Sequence, residues 1–359
     1  MRLLITALLL LPQILFSQIT VTAADFANAG DTVRMSKTTD PAIDFATTGP
    51  NSNWDFSTLT AQSQSLIEFY DMSNVSTFVN FIFGGFAPPK YQGSYYLPST
   101  DIPLAQMSSF LPVSIDNVYQ FTRKTADSIT SIGFALSIDS NEVPFKSDTI
   151  ETRYAFPLNY GNTHSSMGYT NLDMNPIFDA IWRQHRQRYT EVDGWGSVIT
   201  PYGTFDAIRI KHSITEIDSL RINFGGSPFW INLPIPDSYI YEWWTNGEDE
   251  AVMRIETSLI AGNEVVNNIE YRDNYLGLDA SLEETSQLNV SVYPNPVTEN
   301  LTIGSINGSF TSTIIDLNGQ VVSTCVDQSI LDLSELETGE YILWINSTEG
   351  NKIHRFTKK

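Results

Sequence analysis

Apolar and polar residues alternate along most of this chain, and the period is two. Thr130, Ile132, Phe134, Leu136 and Ile138 alternate with Ser131, Gly133, Ala135 and Ser137, the pattern of a half-buried strand. Ile208, Ile210, His212 and Ile214 alternate with Arg209, Lys211 and Ser213. Leu220, Ile222 and Phe224 do the same with Ser219, Arg221 and Asn223. Tyr239, Tyr241 and Trp243 fall on one face of a further strand, Ile240, Glu242 and Trp244 on the other. Pro201-Tyr202-Gly203 and Asn246-Gly247 are turn signals between the runs. Asn175 to Arg188 fits a helix or part of one long strand, and its aromatic and β-branched residues favour the strand. The expected fold is therefore all-β: a large antiparallel β-sandwich or half-barrel, then a small C-terminal Ig-like β-sandwich. Phe83-Gly84-Gly85 and Phe224-Gly225-Gly226 each lead into a Pro-rich aromatic segment, which leaves open a division of the main region into two β subdomains.

Composition narrows the function. The 359 residues carry 20 Lys+Arg against 41 Asp+Glu, a net charge of −21, which excludes the basic face of a nucleic-acid binder. Apolar residues make up 42% and aromatics 12%, enough to bury a large core rather than stay disordered. The single cysteine, Cys325, rules out an intramolecular disulfide framework and a multi-cysteine metal site. At the N-terminus Arg2 precedes an apolar run, Leu3 to Phe16, with the small Ser17 before Gln18. This reads as a signal peptide cleaved after Ser17, although Leu15 is larger than the ideal. The run is shorter than the ~20 residues of a spanning helix, so no integral membrane span is expected after cleavage.

Catalytic patterns are sparse. His164, His185, His212 and His354 are scattered, and no H-E-x-x-H or G-x-S-x-G sequence occurs. His212 lies on the apolar face of its strand and reads as a satisfied structural residue. Glu248, Asp249 and Glu250 follow a turn and read as solvated, since the loop lacks the D-x-D-x-D-G calcium pattern. Arg183, His185, Arg186 and Arg188 form the clearest positive patch of the main region, either a solvated face or a contact for anionic glycan. No catalytic residue, metal or cofactor is assigned. Six of the seven Trp residues lie between 18 and 275. Trp195, between Gly194 and Gly196, together with Tyr202, Trp243 and Trp244, are the candidates for an aromatic platform that would stack on sugar faces. The bland alternative makes them core residues beside tight turns.

The C-terminal segment is more specific. VSVYPNPVTENLTI (Val290 to Ile303) places Pro294 and Pro296 around Asn295, a helix-proof lead-in to a strand. Asn318-Gly319 in IIDLNGQVV is a strong hairpin signal, and Gly339 precedes the buried-strand pattern Tyr341, Leu343, Ile345. These motifs, in this order, resemble the C-terminal sorting domain of the type IX (Por) secretion system, type A, found in Bacteroidetes. The resemblance implies Tyr293, Pro294, Asn295, Pro296, Gly319, Gly339 and Tyr341 as sorting-motif residues and the type IX translocon as partner. It further implies passage through the periplasm to the cell surface or the medium. Thr190 to Lys211 is similar to a stretch of secreted proteins in the same group, from which no activity carries over.

The resulting layout is a signal peptide at 1–17, an all-β main region at 18–275, a linker at 276–288 and a sorting domain at 289–359. The main region is expected to be a non-catalytic binding or adhesion module for a glycan or other surface ligand. A secreted polysaccharide hydrolase and a carrier of an apolar ligand are the alternatives.

Overall fold

The computed structural model describes residues 18–40, 42–103, 115–138, 141–175, 179–224, 227–233, 235–260, 262–277, 290–306, 308–316, 321–347 and 350–359. The proposed leader, most of the linker and the Asn318-Gly319 turn lie outside these residues, as do Gly225 and Gly226.

Strands dominate, as their alternating sequences require. The first are short: β1 (Thr32–Thr38), β2 (Gly49–Asp55), β3 (Ser63–Glu68) and β4 (Tyr95–Pro98). Next come β5 (Ile115–Lys124), β6 (Ser128–Ile138), β7 (Asn141–Ala155) and β8 (Thr163–Asp173). β9 (Ala180–Thr200) and β10 (Gly203–Phe224) are the longest, at 21 and 22 residues, and their hairpin turns at Pro201-Tyr202 as expected. β11 (Ser227–Leu233), β12 (Ser238–Trp244), β13 (Met253–Ile260) and β14 (Asn263–Arg272) follow. The single α-helix among the described residues, α1 (Thr77–Phe83), is capped by the Ser76 side chain.

The strand order is β3-β1-β14-β13-β12-β10-β9-β8-β7-β6-β5-β4. Its two ends meet: the Tyr70 and Tyr96 amides donate to each other's carbonyls at 2.9 and 3.1 Å, joining the chain after β3 to β4. The sheet thus curls into a nearly closed barrel, further closed than the half-barrel alternative. β11 extends the wall beside β10, and β2 pairs in parallel with the end of β9.

Each barrel strand has an inner and an outer face. At the far end of the β9–β10 hairpin the outer face carries a core of its own. There Trp54 and Phe56, from β2 and the residue after it, cover Val198, Ala207, Tyr241, Trp243, Met253 and Ile255. Gly196 permits that approach, since its φ is +159° and a Cβ would lie 1.9 Å from the Ser52 carbonyl oxygen. Inside the barrel two apolar clusters are separated along the axis. Trp182, Leu220, Leu172, Phe134 and Leu136 form one. Val192, Ile208, Ile210, Trp244, Phe26 and Leu158 form the other.

The C-terminal part comprises β15 (Ser291–Tyr293), β16 (Asn300–Gly304), β17 (Phe310–Asp316), β18 (Val321–Val326), β19 (Ile330–Asp332), β20 (Gly339–Ser347) and β21 (Gly350–Lys358). They make a three-stranded sheet, β15-β16-β19, and a four-stranded sheet, β18-β17-β20-β21. Leu301, Ile303 and Leu331 of the first and Ile314, Leu343, Ile345 and Phe356 of the second share one apolar core. This is the small β-sandwich read from the sequence.

Candidate functional site

The interior of the barrel changes character between its apolar ends, and the register of β9 against β10 shows where. Trp182 pairs with Leu220 at one end and Val192 with Ile210 at the other. Between them lie Gln184 opposite Asp218, Arg186 opposite Glu216, Arg188 opposite Ile214 and Thr190 opposite His212. All are even-numbered positions, so the phase set by Trp182 carries these polar side chains inward.

Of these, Arg186, Arg188, Ile214 and Glu216 border a cavity of about 610 Å³, which is also lined by residues of β4, β5, β7 and β12 to β14. Two groups of charges share it. In the first, Arg186 Nε lies 2.5 Å from Glu216 and its Nη1 3.1 Å from Asp101, while Arg188 Nε donates to Glu151 at 2.7 Å. Arg153 pairs with Asp101 as well, and Gln120 donates to Asp101 at 2.8 Å. Burial would raise the Asp101 and Glu151 carboxyls, but the surrounding guanidiniums outweigh it and hold both below the usual carboxylate range.

The second group is a row of alternating sign across four strands: Lys37, Glu270, Arg254 and Glu242 occupy paired positions on β1, β14, β13 and β12. Lys37 is 3.1 Å from Glu270, and Arg254 Nε donates to Glu242 at 3.0 Å. Cross-strand opposite charges of this kind stabilise a sheet pair. Arg254 also donates to Glu250 at 2.7 Å. Glu242 accepts from the Tyr154 hydroxyl at 2.7 Å and from Trp244 Nε1 at 2.8 Å, and lies 3.5 Å from His212 Nε2.

These two acids on one guanidinium are pushed apart. Burial opposes ionisation of Glu242, yet Arg254, the neighbouring His212 and the hydrogen bond from Trp244 hold it well below the usual range. Burial raises Glu250, and Arg254 offsets only part of this. Glu256, paired with Ile240 on β12, is likewise raised by burial. Asp218 is pushed up to about 8 by burial and the neighbouring Glu216.

Several sequence assignments change here. Arg186 and Arg188 are not part of a surface patch: they point inward, while Arg183 and His185, out of phase with them, face the outside with Arg183 over the Trp230 ring at 4.3 Å. Glu250 is not a solvated turn residue but a buried partner of Arg254, next to Ala251, which packs into the inner apolar cluster. His212, read as a satisfied structural residue, is satisfied at one nitrogen: its Nδ1 is 2.8 Å from Thr190 Oγ1, while its buried Nε2 makes no hydrogen bond.

The four aromatic candidates do not form one strip. Trp243 is fully buried in the outer core, edge-on to Trp54 and Phe56. Trp244 is 1% exposed on the opposite face, stacked on Phe26 at 3.8 Å. Trp195 packs partly buried against the same inner cluster, and Tyr202 sits at the hairpin turn, stacked on Phe205. Neighbouring strand residues point oppositely, so Trp243 and Trp244 could never share a platform. The luminal acids and arginines had one legible signal, their phase relative to Trp182 and Val192.

In the tail, Tyr293 is 53% exposed and Pro294 and Pro296 flank Asn295. The Asn295 side chain bonds like a strand residue: its Nδ2 donates to the Arg355 carbonyl and its Oδ1 accepts from the Thr357 amide, both at 3.0 Å. Gly339 opens β20 opposite Lys358, and the Tyr341 hydroxyl donates to the Glu337 carbonyl at 3.0 Å. Gly319 lies outside the described residues.

Residues 291–359 match the family described as the secretion system C-terminal sorting domain. The tail is therefore the sorting domain of a type IX secretion cargo protein, and it implies export to the cell surface or the medium and interaction with the type IX machinery. Neither the curated proteins nor the solved structures include a match to the chain. Among the described residues no helix is long and apolar enough to cross a membrane.

Proposed function

We propose that the main region, residues 18–275, is a binding module delivered through the periplasm by a leader at 1–17 and the tail at 289–359. Its barrel lumen receives a small hydroxyl-rich ligand such as a saccharide unit. The observation that supports this reading is the 610 Å³ cavity bordered by carboxylates, guanidiniums, Gln120, Asn267 and Asn268 beside Tyr95, Tyr154 and Trp244. Carboxylates and guanidiniums match hydroxyl pairs, and ring faces match sugar C–H groups. An apolar cargo fits poorly, since entering such a lumen would strip water from charges without replacing its hydrogen bonds.

Ile240 faces the cavity between His212 and Glu256. Ile240→Trp should fill the lumen and abolish retention on a saccharide array while the protein stays folded. Retention unchanged by this substitution would place the ligand elsewhere.

A hydrolase reading rests on one observation: Glu242 and Glu250 share Arg254 and are driven in opposite directions, the relation of a carboxylate and a general acid. Hydrolysis of a polysaccharide that E250Q abolishes would establish it.

A further inference from the structure

α1 buries only one stripe of its surface. Val79 and Phe83, four residues apart, pack on the outer face of β5 and β6, where Phe83 stacks on Phe121 at 4.3 Å. Phe78 and Phe81 turn outward and are 58% and 66% exposed, and Phe86, in the turn after Gly84-Gly85, is 85% exposed. Single exposed apolar side chains are ordinary, but three phenylalanines within nine residues mark an interaction site. The segment is not frayed: Ser76 caps α1, the Gly84 amide donates to Asn80, and the Gly93 amide donates to Phe83.

Cations rim this segment in a chain whose net charge is −21. Lys90 and Lys146 place their ammonium groups 4.8 and 4.9 Å from the Tyr91 ring centre, and Arg123 Nε donates to the Pro89 carbonyl at 3.0 Å. Among the acids near these cations in the chain, Asp148 is exposed two residues beyond Lys146 on β7, and Asp71, before α1, has its carboxylate engaged by the Ser73 amide.

We propose that residues 76–91 dock the exported protein on an anionic lipid surface. Phe78, Phe81 and Phe86 enter the boundary between headgroups and acyl chains, while Lys90, Arg123 and Lys146 meet the headgroup phosphates. Charge selects this occupant over a second copy of the chain, because a dimer through this face would set the cations of one copy against those of the other. The remaining negative charge acts weakly here, since screening limits it to ~8 Å at physiological salt.

The test is co-sedimentation of the purified exported protein with phosphatidylcholine vesicles, with and without phosphatidylglycerol. The protein should bind the anionic vesicles, and added salt should weaken that binding. Phe78→Ser, Phe81→Ser and Phe86→Ser combined should lower partitioning ~10-fold or more with only a small change in Tm, since most of each ring is in water. Lys90→Glu with Lys146→Glu should lower binding to the anionic vesicles alone. Wild-type protein that stays in the supernatant with both vesicles, or a triple variant that partitions like wild type, would overturn the proposal. So would a wild-type dimer abolished by the triple variant with no vesicle binding, which would assign the patch to protein contact.

Discussion

The two β regions of this chain solve the problem of an interior in opposite ways. The tail closes two small sheets over an apolar core of Leu301, Ile303, Leu331, Leu343, Ile345 and Phe356. The barrel encloses apolar plugs at two levels and keeps a charged band around a cavity between them. A dry core of this sort serves stability alone. A charged interior costs several kcal/mol per ion in lost hydration, recovered only through close partners. The barrel therefore maintains something its fold does not require, and this makes the lumen the place to look for function.

The largest effect tests whether the regions are independent. Deleting residues 289–359 should abolish export outright, while the truncated protein accumulates folded in the periplasm with the barrel's Tm unchanged. Export at normal levels would contradict the role of the tail. A barrel that fails to fold without it would contradict independence. Within the full chain, Leu343→Ala should cost the tail about 2–5 kcal/mol, as expected for a cavity in a small apolar core, and leave a separate barrel transition in calorimetry.

Next in size is the loss of a luminal charge. Arg254→Ala strands Glu242, Glu250 and Glu270 around an empty site and should destabilise the barrel by about 3–5 kcal/mol. Combining Arg254→Met with Glu242→Gln and Glu250→Gln should recover much of that loss in denaturant titrations. If Arg254→Ala costs less than about 1 kcal/mol, the network is solvated and the distinction between the two interiors fails.

These two interiors were unequally legible in the sequence, for a physical reason. Period-two alternation reveals sidedness only where one side is apolar. That condition holds for Leu343 and Ile345 in the tail, and for Ile208 and Ile210, or Trp243 against Trp244, in the barrel, and all of these were placed by pattern. From Gln184 to Thr190 both faces of β9 are polar, so Arg186 and Arg188 look no different from Arg183 and His185. Only the phase carried across from Trp182 to Val192 separates them. Barrel closure was hidden too, because it depends on Tyr70 meeting Tyr96, a pairing that neither strand's composition encodes.

A subtler contrast is in pH dependence. Asp218 titrates near 8 in the folded barrel against an ordinary 3.8, so between those values the folded state holds a proton that the unfolded chain has released. Stability should fall as pH rises from about 4 to about 8, with a slope of at most about 1.4 kcal/mol per pH unit for this one group. Asp218→Asn should reduce the slope of that limb, to which Glu250 and Glu256, also raised by burial, contribute with the same sign. Asp101, Glu151 and Glu242 act with the opposite sign: held low by their arginines and hydrogen bonds, they stabilise the barrel near neutrality and lose that contribution as pH falls below about 4. In the tail the Asp332 and Glu340 carboxyls are held low by hydrogen bonds from Ser334 and Thr357, the sign opposite to Asp218, so their contribution is lost on acidification rather than between pH 4 and 8. An equal slope in both transitions would remove Asp218 as the cause.

The smallest effect separates the surface from both interiors. Tyr202 sits on the exposed hairpin turn between Pro201 and Gly203, half-buried only by its stack on Phe205, whose ring centre is 5.9 Å away. Arg272 approaches its ring at the same distance. Tyr202→Ala therefore removes one aromatic contact and little buried area, a cost of about 0.5–1.5 kcal/mol. Trp243→Ala, on β12 in the covered outer core, should cost about 3–5 kcal/mol, because Trp54 and Phe56 would lose the ring they pack against. Saccharide retention discriminates further. If the ligand occupies the lumen, Tyr202→Ala leaves retention intact, since the ring lies outside the cavity lining. Retention lost with Tyr202→Ala at unchanged Tm would instead move recognition to the hairpin tip and leave the luminal charges as a purely structural expense.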